Sequence, residues 1–411
     1  MRTSLDVGRV VDEQPFGRRQ ILVAGLCAAS VFIDGFDAQV MGYVAPALSA
    51  GLHIARAALG AVISSGIFGM LVGALAFGSL ADRAGRKPVL VTCALTFGVG
   101  SLLTATATSV PQLTAFRILT GFGMGGAMPN AIALTSECMP ARSRNSAVMT
   151  MFCGFALGSA CAGWVSAAVI GRFGWQSVFL VGGSIPILLA VVLIALLPES
   201  PRFLAEKRSR PGESSSVGEL FSGGRAGVTL LLWAMFFMNL LNLWFLNNWL
   251  PVIMTDAGIT IETASLVTSL FQIGGLIGSL ALAGAWGRQL SFGRLASAYL
   301  AAAVFILLLG EAGASVPLLV VAVFASGAAV IGGQTASNAL AAAVYPTSIR
   351  ATGVGWALGI GRVGSILGPI LGGVLLSYGG GARRVFWAAA VPALVATCAA
   401  WAASVTARKP A

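Results

Sequence analysis

Two aspartates lie three residues apart in a stretch that otherwise suits hydrocarbon. The stretch is FIDGFDAQVMGYVAPAL, residues 32–48, and the acids are Asp34 and Asp37. A charge near the centre of a bilayer costs roughly 2.5–3.5 kcal/mol on insertion scales, so such residues usually face a cavity or one another. A spacing of three places both carboxylates on one face of a helix. The sequence therefore predicts an acidic functional site within a membrane-spanning helix.

Reversible protonation is the chemistry expected of this pair. Two carboxylates in one apolar cleft cannot both ionise easily, because burial and mutual repulsion both oppose the charged form. A carboxylate held in this way can take a proton on the outer side of a membrane and release it inside. The structural alternative is that the acids cap or hydrogen-bond a kinked helix near Gly35.

Arg362 is a permanent cation inside another apolar stretch. A buried guanidinium needs an acceptor, and its planar fork suits a carboxylate in a bidentate way. The expected acceptor is Asp34 or Asp37, an anionic substrate, or each in alternation. Alternation would couple proton and substrate binding through charge neutrality, provided that these groups face a common cleft. A static ion pair is the alternative.

Amides repeat the spacing of the two acids in the second half of the chain. An offset of 205 residues carries Asp34 and Asp37 onto Asn239 and Asn242. The same geometry would then orient a neutral group instead of handling a proton. Gln334, Thr335 and Asn338 are the polar residues of a later apolar stretch, and the aromatic side chains of Phe36 and Trp356 could stack on a ring. Packing or lipid contact is the alternative for each aromatic residue.

Membrane-crossing helices must position these residues. The 411-residue chain is 57% hydrophobic and only 9% charged, whereas soluble domains carry roughly 25% charged residues. Apolar runs of the length needed to cross hydrocarbon recur along it, without the alternating segments of a β-barrel. The sequence predicts an all-α polytopic membrane protein with twelve transmembrane helices in two six-helix halves. The expected spans are 20–44, 59–80, 89–107, 112–135, 146–170, 177–197, 227–250, 262–284, 295–310, 317–341, 352–376 and 385–406.

Membrane topology explains why the chain has an excess of basic residues. The net charge is +11, and 19 of the 25 Lys and Arg fall in loops and tails on the side that holds both termini. Positively charged loops stay in the cytoplasm, so both termini are expected to be cytoplasmic. No nucleic-acid partner is predicted. The cysteines and the single histidine show no metal-ligand spacing and no catalytic triad is visible, so neither a metal site nor an enzyme is expected.

A polar linker divides the chain. Residues 198–226 are rich in Ser, Gly, Pro and charge, and MPARSRNSAV (139–148) is echoed by YPTSIRATGV (345–354). Parallel six-helix repeats with a substrate site at their interface are typical of secondary transporters. The expected organisation is a tail 1–19, a helical half 20–197, the linker 198–226, a helical half 227–406 and a tail 407–411.

The segment GSLADRAGRKPVL, residues 78–90, resembles the signature loop of the major facilitator superfamily, and the resemblance covers essentially the whole chain. In that family the loop latches the outward-open state. The glycines would allow close approach and turning, Asp82 would accept hydrogen bonds from a neighbouring helix end, and the cations would lie at the anionic leaflet. A merely topogenic basic loop is the alternative. The expected latch residues are Gly78, Asp82, Arg83, Gly85, Arg86, Lys87, Glu137, Arg144 and Arg350.

Four further stretches resemble the aromatic acid:H⁺ symporter family within that superfamily. They are DGFD (34–37), RILTGFGMGGAMPNAIALTSE (117–137), LPESPRFL (197–204) and YPTSIRATGVGWALGIGRVG (345–364). The resemblance implies the major facilitator fold and a symporter that imports a small aromatic carboxylate, hydroxybenzoate-like or phenylpropionate-like. It also implies the proton as coupling ion, no other cofactor, and a monomer in the bacterial cytoplasmic (inner) membrane.

The resemblance adds a role for Arg117 to the roles argued above from residue types and the repeat. Arg117 and Gly121 match the RxxxG element of the superfamily, which is implicated in proton transfer, and a helix tether is the alternative for Arg117. The expected proton-coupling residues are Asp34, Asp37 and Arg117. The expected substrate-binding residues are Arg362, Asn239, Asn242, Gln334, Thr335, Asn338, Phe36 and Trp356.

Two other functions remain open from the sequence. Gly355, Gly364, the Gly368–Pro369 pair and Gly372–Gly373 match an efflux-antiporter signature, although that signature belongs to span five and here lies in span eleven. A proton-driven efflux antiporter for small organic molecules is therefore the main alternative. A non-transporting receptor would be expected to carry a soluble signalling domain.

Overall fold

Helices form all the regular structure that is described. The structure, a computed structural model, describes residues 13–206, 217–222, 224–286, 291–346, 349–378 and 381–406. A short helix (Pro201–Glu206) and a 3₁₀ helix (Val217–Phe221) lie between the sixth and seventh long helices. The twelve long helices are α1 (Arg18–Leu52), α2 (Arg56–Ala84), α3 (Arg86–Ala105), α4 (Val110–Cys138), α5 (Ala141–Phe173), α6 (Gln176–Leu196), α7 (Ala226–Asp256), α8 (Ile261–Trp286), α9 (Phe292–Glu311), α10 (Val316–Val344), α11 (Arg350–Ser377) and α12 (Gly381–Thr406).

Most of these helices are built to cross a bilayer. Within the described residues, eleven long helices have the length and hydropathy needed to span a membrane. The exception is α4, which carries Arg117, Pro129 and Asn130 within its apolar sequence. Large apolar side chains also lie on the outside, and Leu75 and Phe173 are each 72% exposed, as expected where lipid is the solvent. The predicted fold class is confirmed, and the chain is a multi-pass membrane protein.

Unit 1 is the first of two compact units. It contains Met1–Val40, Ser65–Val165 and Arg172–Gly212, and thus most of α1 to α6. Glycines allow α2 and α4 to cross closely, since a Cβ at Gly121 would collide with the carbonyl of Gly66. Membrane helices associate through such small residues. This crossing fixes the position of Arg117, one turn before Gly121 on α4.

Unit 2 is organised around α7. It contains Met41–Ser64, Ser166–Gly171 and Glu213–Ala411, and α7 packs against α8, α10, α11 and α12. The Trp249 indole N–H on α7 donates to the Pro369 carbonyl on α11 at 3.0 Å. The hydroxyls of Tyr299 on α9 and Ser337 on α10 are 2.5 Å apart. These bonds join helices within the unit.

The end of α1 and the start of α2 belong to unit 2. A Cβ at Gly42 would collide with the carbonyl of Asn247 on α7. The Ser64 hydroxyl on α2 donates to the Ile366 carbonyl on α11 at 2.6 Å. The Arg56 guanidinium on α2 forms an ion pair with Asp256 on α7, also at 2.6 Å. This segment is therefore held by both backbone contact and charge.

The described residues of the linker are divided between the units: 198–206 belong to unit 1, and 217–222 are anchored to unit 2. Leu220 on the 3₁₀ helix is fully buried, and its carbonyl accepts a hydrogen bond from the Thr229 hydroxyl of α7 at 3.0 Å. Of the expected linker, 198–226, residues 207–216 and 223 lie outside the described part of the chain.

Candidate functional site

A buried ion pair joins α1 to α4 in unit 1. Nη2 of Arg117 lies 3.1 Å from Oδ2 and 3.3 Å from Oδ1 of Asp37, and each side chain is only 3% exposed. The guanidinium also lies over the ring of Phe179 on α6, 5.2 Å from its centroid. A charge-assisted hydrogen bond is stronger than a neutral one, and the apolar surroundings strengthen it further.

The rotation of α1 that presents Asp37 follows from its packing on α5. A Cβ at Gly35 would collide with the backbone of Phe155 on α5, and the Ser159 hydroxyl donates to the Gly35 carbonyl at 2.9 Å. Gly35 therefore faces α5, which leaves Asp37 free to face α4. The glycine between the two acids is needed for close approach.

The two other candidates on this part of α1 are buried as well. Asp34 is 1% exposed and lies one turn before Asp37. Phe36 is 4% exposed, and its ring lies against Gly182 on α6. In this structure the ring of Phe36 takes part in helix packing within unit 1.

Sequence reasoning did not predict the partner of Asp37. It proposed an aspartate of α1 or a substrate anion as the acceptor for Arg362, whereas the structure pairs Asp37 with Arg117. Charge balance within the first half could have indicated this pair. Arg117 is the cation that falls inside an expected span there, and a buried aspartate of the same half needs a cation as its partner. Arg362 lies on α11 in unit 2 and is partly buried.

Amide side chains form a relay between α7 and α10 in unit 2. The Asn239 amide N–H donates to Gln334 Oε1 at 2.8 Å and to the Val330 carbonyl at 3.2 Å. The Gln334 amide then donates to Asn338 Oδ1 at 3.2 Å. Thr335 points elsewhere, since its hydroxyl lies 3.0 Å from that of Ser279 on α8. Asn239, Gln334 and Asn338 are thus brought together.

Asn242 is one turn from Asn239 but does not join the relay. It is 1% exposed, and among the described residues neither its Nδ2 nor its Oδ1 has a hydrogen-bond partner. Trp356 lies elsewhere in unit 2, stacked on Trp233 with centroids 5.8 Å apart. It is 43% exposed and lies in the second turn of α11.

The basic loop between α2 and α3 forms a polar cluster in unit 1. Arg86 pairs with Glu137 of α4 at 3.3 Å, donates to the Ala81 carbonyl at 2.8 Å and lies over the Phe203 ring. Lys87 Nζ donates to the Ile194 carbonyl at 2.8 Å. These contacts tie the loop to α4, to α6 and to the short helix that follows α6.

The remaining latch candidates differ in their surroundings. Gly85 has φ +107°, a conformation that favours glycine. At Gly78, by contrast, no described atom lies within 4 Å of an added Cβ, so the expected close approach is not present. Arg144 donates to the Met139 carbonyl at 3.4 Å, and Arg83 is exposed. The side chains of Asp82 and Arg350 lie outside the described part of the structure.

Glu199 is a member of this cluster that sequence reasoning missed. Its carboxylate accepts hydrogen bonds from the backbone N–H groups of Arg86 at 3.0 Å and of Lys87 at 3.2 Å. It therefore caps the N-terminus of α3, where the residue before the helix, Gly85, has no side chain for this purpose. The stretch LPESPRFL contained the signal, because an acid there follows directly after an apolar span.

No cluster of three or more His, Cys, Asp and Glu that could hold a metal ion occurs among the residues that the structure describes. The site is built from carboxylates, guanidinium groups and amides. It can exchange protons and bind anions.

Known proteins are similar to this chain over nearly its whole length. A sequence profile of the Major Facilitator Superfamily matches residues 27–236 and 232–411. The chain is 43% identical to the 4-hydroxybenzoate transporter of Pseudomonas aeruginosa, over 96% of this chain and 95% of that protein. It is 39% identical to the gallate transporter of Pseudomonas putida, over 96% and 94%.

Solved structures share the fold. A bacterial homologue of the human lysosomal transporter Spinster, in an inward-facing and occupied conformation, superposes with a TM-score of 0.77. The identity is 18%, and the match covers 95% of this chain and 98% of that one. The chain therefore belongs to the major facilitator superfamily and, within it, to the aromatic acid transporter family, whose members are transporters and not enzymes.

Proposed function

We propose that this protein is a proton-coupled symporter that imports a small aromatic carboxylate by alternating access. The relatives at 43% and 39% identity are named as transporters of 4-hydroxybenzoate and gallate, and a relative at 38% identity is named as a transporter of 3-(3-hydroxyphenyl)propionate. All three compounds are aromatic acids, so a hydroxybenzoate-like or phenylpropionate-like acid is the proposed substrate. The charge bias of the loops supports a cytoplasmic-membrane location with both termini inside.

The buried Asp37–Arg117 pair is the observation that carries the proposal of proton coupling. As an ion pair it is electrically neutral, and protonation of Asp37 would leave the Arg117 cation uncompensated in an apolar interior. An uncompensated buried charge is costly. The arrival of an anion with the proton would restore neutrality, so that a substrate carboxylate and a proton enter together.

Arg362 is the proposed ligand of the substrate carboxylate. It is a guanidinium within a membrane-spanning helix, and its fork can bind both oxygens of a carboxylate. Asp34, buried one turn from Asp37, is the proposed second acid on the proton route. The protein would then hold the same buried charge before substrate binding and after it.

Several glycines of α11 serve packing, so their match to an antiporter signature does not require an efflux function. A Cβ at Gly364 or Gly368 would collide with the α7 carbonyl of Phe237 or Leu241, and one at Gly372 would collide with the Trp249 ring. The resemblance to an antiporter signature is thus accounted for by close contact between helices α7 and α11.

Uptake by proteoliposomes tests the proposal. Labelled benzoate, 4-hydroxybenzoate, protocatechuate, gallate, 3-phenylpropionate and 3-(3-hydroxyphenyl)propionate would be offered with and without an inward proton gradient. We expect the wild type to accumulate at least one acid only with the gradient. An antiporter would instead accumulate substrate when the inner side is acidic, because protons then leave as substrate enters. Uptake that ignores the gradient would contradict proton coupling.

The matched variants are Asp37→Asn and Asp34→Asn. Asp37→Asn removes the group that is proposed to take the proton, so gradient-driven accumulation should fall to background. Because this change also leaves Arg117 without its carboxylate, at a cost of about 3–5 kcal/mol for a broken buried pair, folding must be checked by size-exclusion chromatography. Exchange of internal for external substrate, which needs no net proton movement, is the second readout. Full accumulation by both variants would reject the coupling proposal.

A further inference from the structure

Asn242 has an unmet hydrogen-bonding requirement in the middle of α7. The side chain is 1% exposed, and both polar atoms of its amide lack a hydrogen-bond partner among the described residues. Buried polar groups in folded proteins are nearly always hydrogen-bonded, so one that is not requires an explanation. An amide left in this state costs free energy unless something binds it.

The neighbouring relay shows that the protein satisfies the other amides here. Asn239, one turn before Asn242, donates to both Gln334 and the Val330 carbonyl, and Gln334 donates onward to Asn338. These bonds fix α7 against α10. Asn242 is therefore presented on a helix that is held in place, with its hydrogen-bonding capacity unused.

The chemistry of an amide restricts what can bind there. Nδ2 donates and Oδ1 accepts, so a complementary group must both accept and donate. A carboxylate only accepts hydrogen bonds and would leave Oδ1 without a donor. An unsubstituted ring edge neither donates nor accepts a hydrogen bond. A phenolic hydroxyl does both through one oxygen.

We propose that Asn242 binds a ring hydroxyl of the substrate and so selects hydroxylated aromatic acids over unsubstituted ones. This inference rests on the proposed function, because it assigns a group of the same substrate to a residue. It gives different roles to the two asparagines that the repeat made equivalent. Asn239 positions α7, whereas Asn242 binds the substrate. A buried water bound to Asn242 is the competing explanation, and it predicts no effect on selectivity.

Two pairs of acids that differ by one hydroxyl test the inference. They are benzoate with 4-hydroxybenzoate, and 3-phenylpropionate with 3-(3-hydroxyphenyl)propionate. The acid that the wild type accumulates best serves as the labelled tracer in proteoliposomes. The half-inhibitory concentrations of the unlabelled acids give the preference for the hydroxyl in each pair.

The variants are Asn242→Leu, Asn242→Ser and Asn239→Leu. Asn242→Leu should reduce the preference for the hydroxylated member of at least one pair by about tenfold, as expected when one or two buried hydrogen bonds are lost, with little change for the unsubstituted acid. Asn242→Ser keeps a donor and an acceptor and should retain part of the preference. Asn239→Leu breaks the relay and should weaken uptake of both members equally.

The possible failures are distinguishable. If the wild type accumulates none of the six acids, the proposed function fails. If it accumulates them but Asn242→Leu leaves the preference unchanged, or lowers both members of each pair equally, Asn242 does not read the hydroxyl and the inference is overturned. If Asn242→Leu does not fold, Asn242→Ser decides: a partly reduced preference supports the inference, and an unaltered preference overturns it.

Discussion

At the scale of single residues, the Asp37–Arg117 pair is better explained by function than by stability. Taking two charges out of water costs several kcal/mol per ion, and well-packed apolar residues often serve stability as well or better. The sequence could predict that both charges are buried, because each lies in an expected span. It could not predict that they meet, since 80 residues separate them and their contact depends on how α1 and α4 cross.

Replacement of Arg117 by lysine tests the geometry of this pair. Arg117→Lys keeps the charge, but an ammonium cannot readily contact both Asp37 oxygens and also lie on the Phe179 ring. We expect a loss of about 1.5–3 kcal/mol in stability, the range for a hydrogen bond to a charged group, and reduced gradient-driven uptake. Apparent melting temperatures in detergent and uptake rates are the measurements.

A double-mutant cycle provides the control. If the two residues act through one another, Arg117→Lys should have a much smaller effect in the Asp37→Asn background than in the wild type. Additive effects would show that Arg117 works through other contacts.

At the scale of helices, the start of α3 shows what local sequence can and cannot indicate. Gly85 before Arg86 indicates a turn, and its positive φ agrees with this. The cap, however, comes from Glu199, 113 residues away, and no local pattern links the two. Carboxylates are favourable at helix N-termini because they meet free N–H groups and the positive end of the helix dipole. The basic loop is therefore ordered by an acid outside the expected latch.

Removal of this cap should loosen the loop. Glu199→Ala removes the acceptor for the Arg86 and Lys87 N–H groups, and we expect a loss of about 0.5–2 kcal/mol in stability, the range for N-cap removal. Glu199→Gln keeps one oxygen acceptor and should lose less. Thermal unfolding of the purified protein is the measurement, with Glu219→Ala as the control because that side chain is exposed on the 3₁₀ helix. Equal melting temperatures for Glu199→Ala and the control would refute the capping role.

At the scale of the whole molecule, hydropathy predicted twelve helices, and the polar linker predicted two halves of six. The expected spans covered the apolar runs alone. The helix α1 is longer than its expected span and has 35 residues in all, because a helix can extend beyond the hydrocarbon into polar surroundings. The division into compact units also departs from chain order, since Met41–Ser64 belongs with unit 2. Contacts such as that of Gly42 with Asn247 cause this assignment. The hydrophobic periodicity and the composition of the sequence do not predict such contacts.

If the protein transports by alternating access, as proposed above, we expect the packing of Met41–Ser64 on α7 and α11 to open during the cycle. Ser64 and Ile366 are suited to test this, because the Ser64 hydroxyl donates to the Ile366 carbonyl at 2.6 Å and the two residues are therefore in contact. In a background in which the six native cysteines are replaced, the pair Ser64→Cys and Ile366→Cys should cross-link under copper phenanthroline. We expect uptake to fall to background when the link forms, because the α2–α11 contact could no longer separate, and to recover on reduction.

Ser64→Cys alone is the control and should keep its activity under oxidant. If the cross-link forms completely and uptake continues at the wild-type rate, this contact does not open during transport, and the coupling scheme built on alternating access would have to place its moving parts elsewhere.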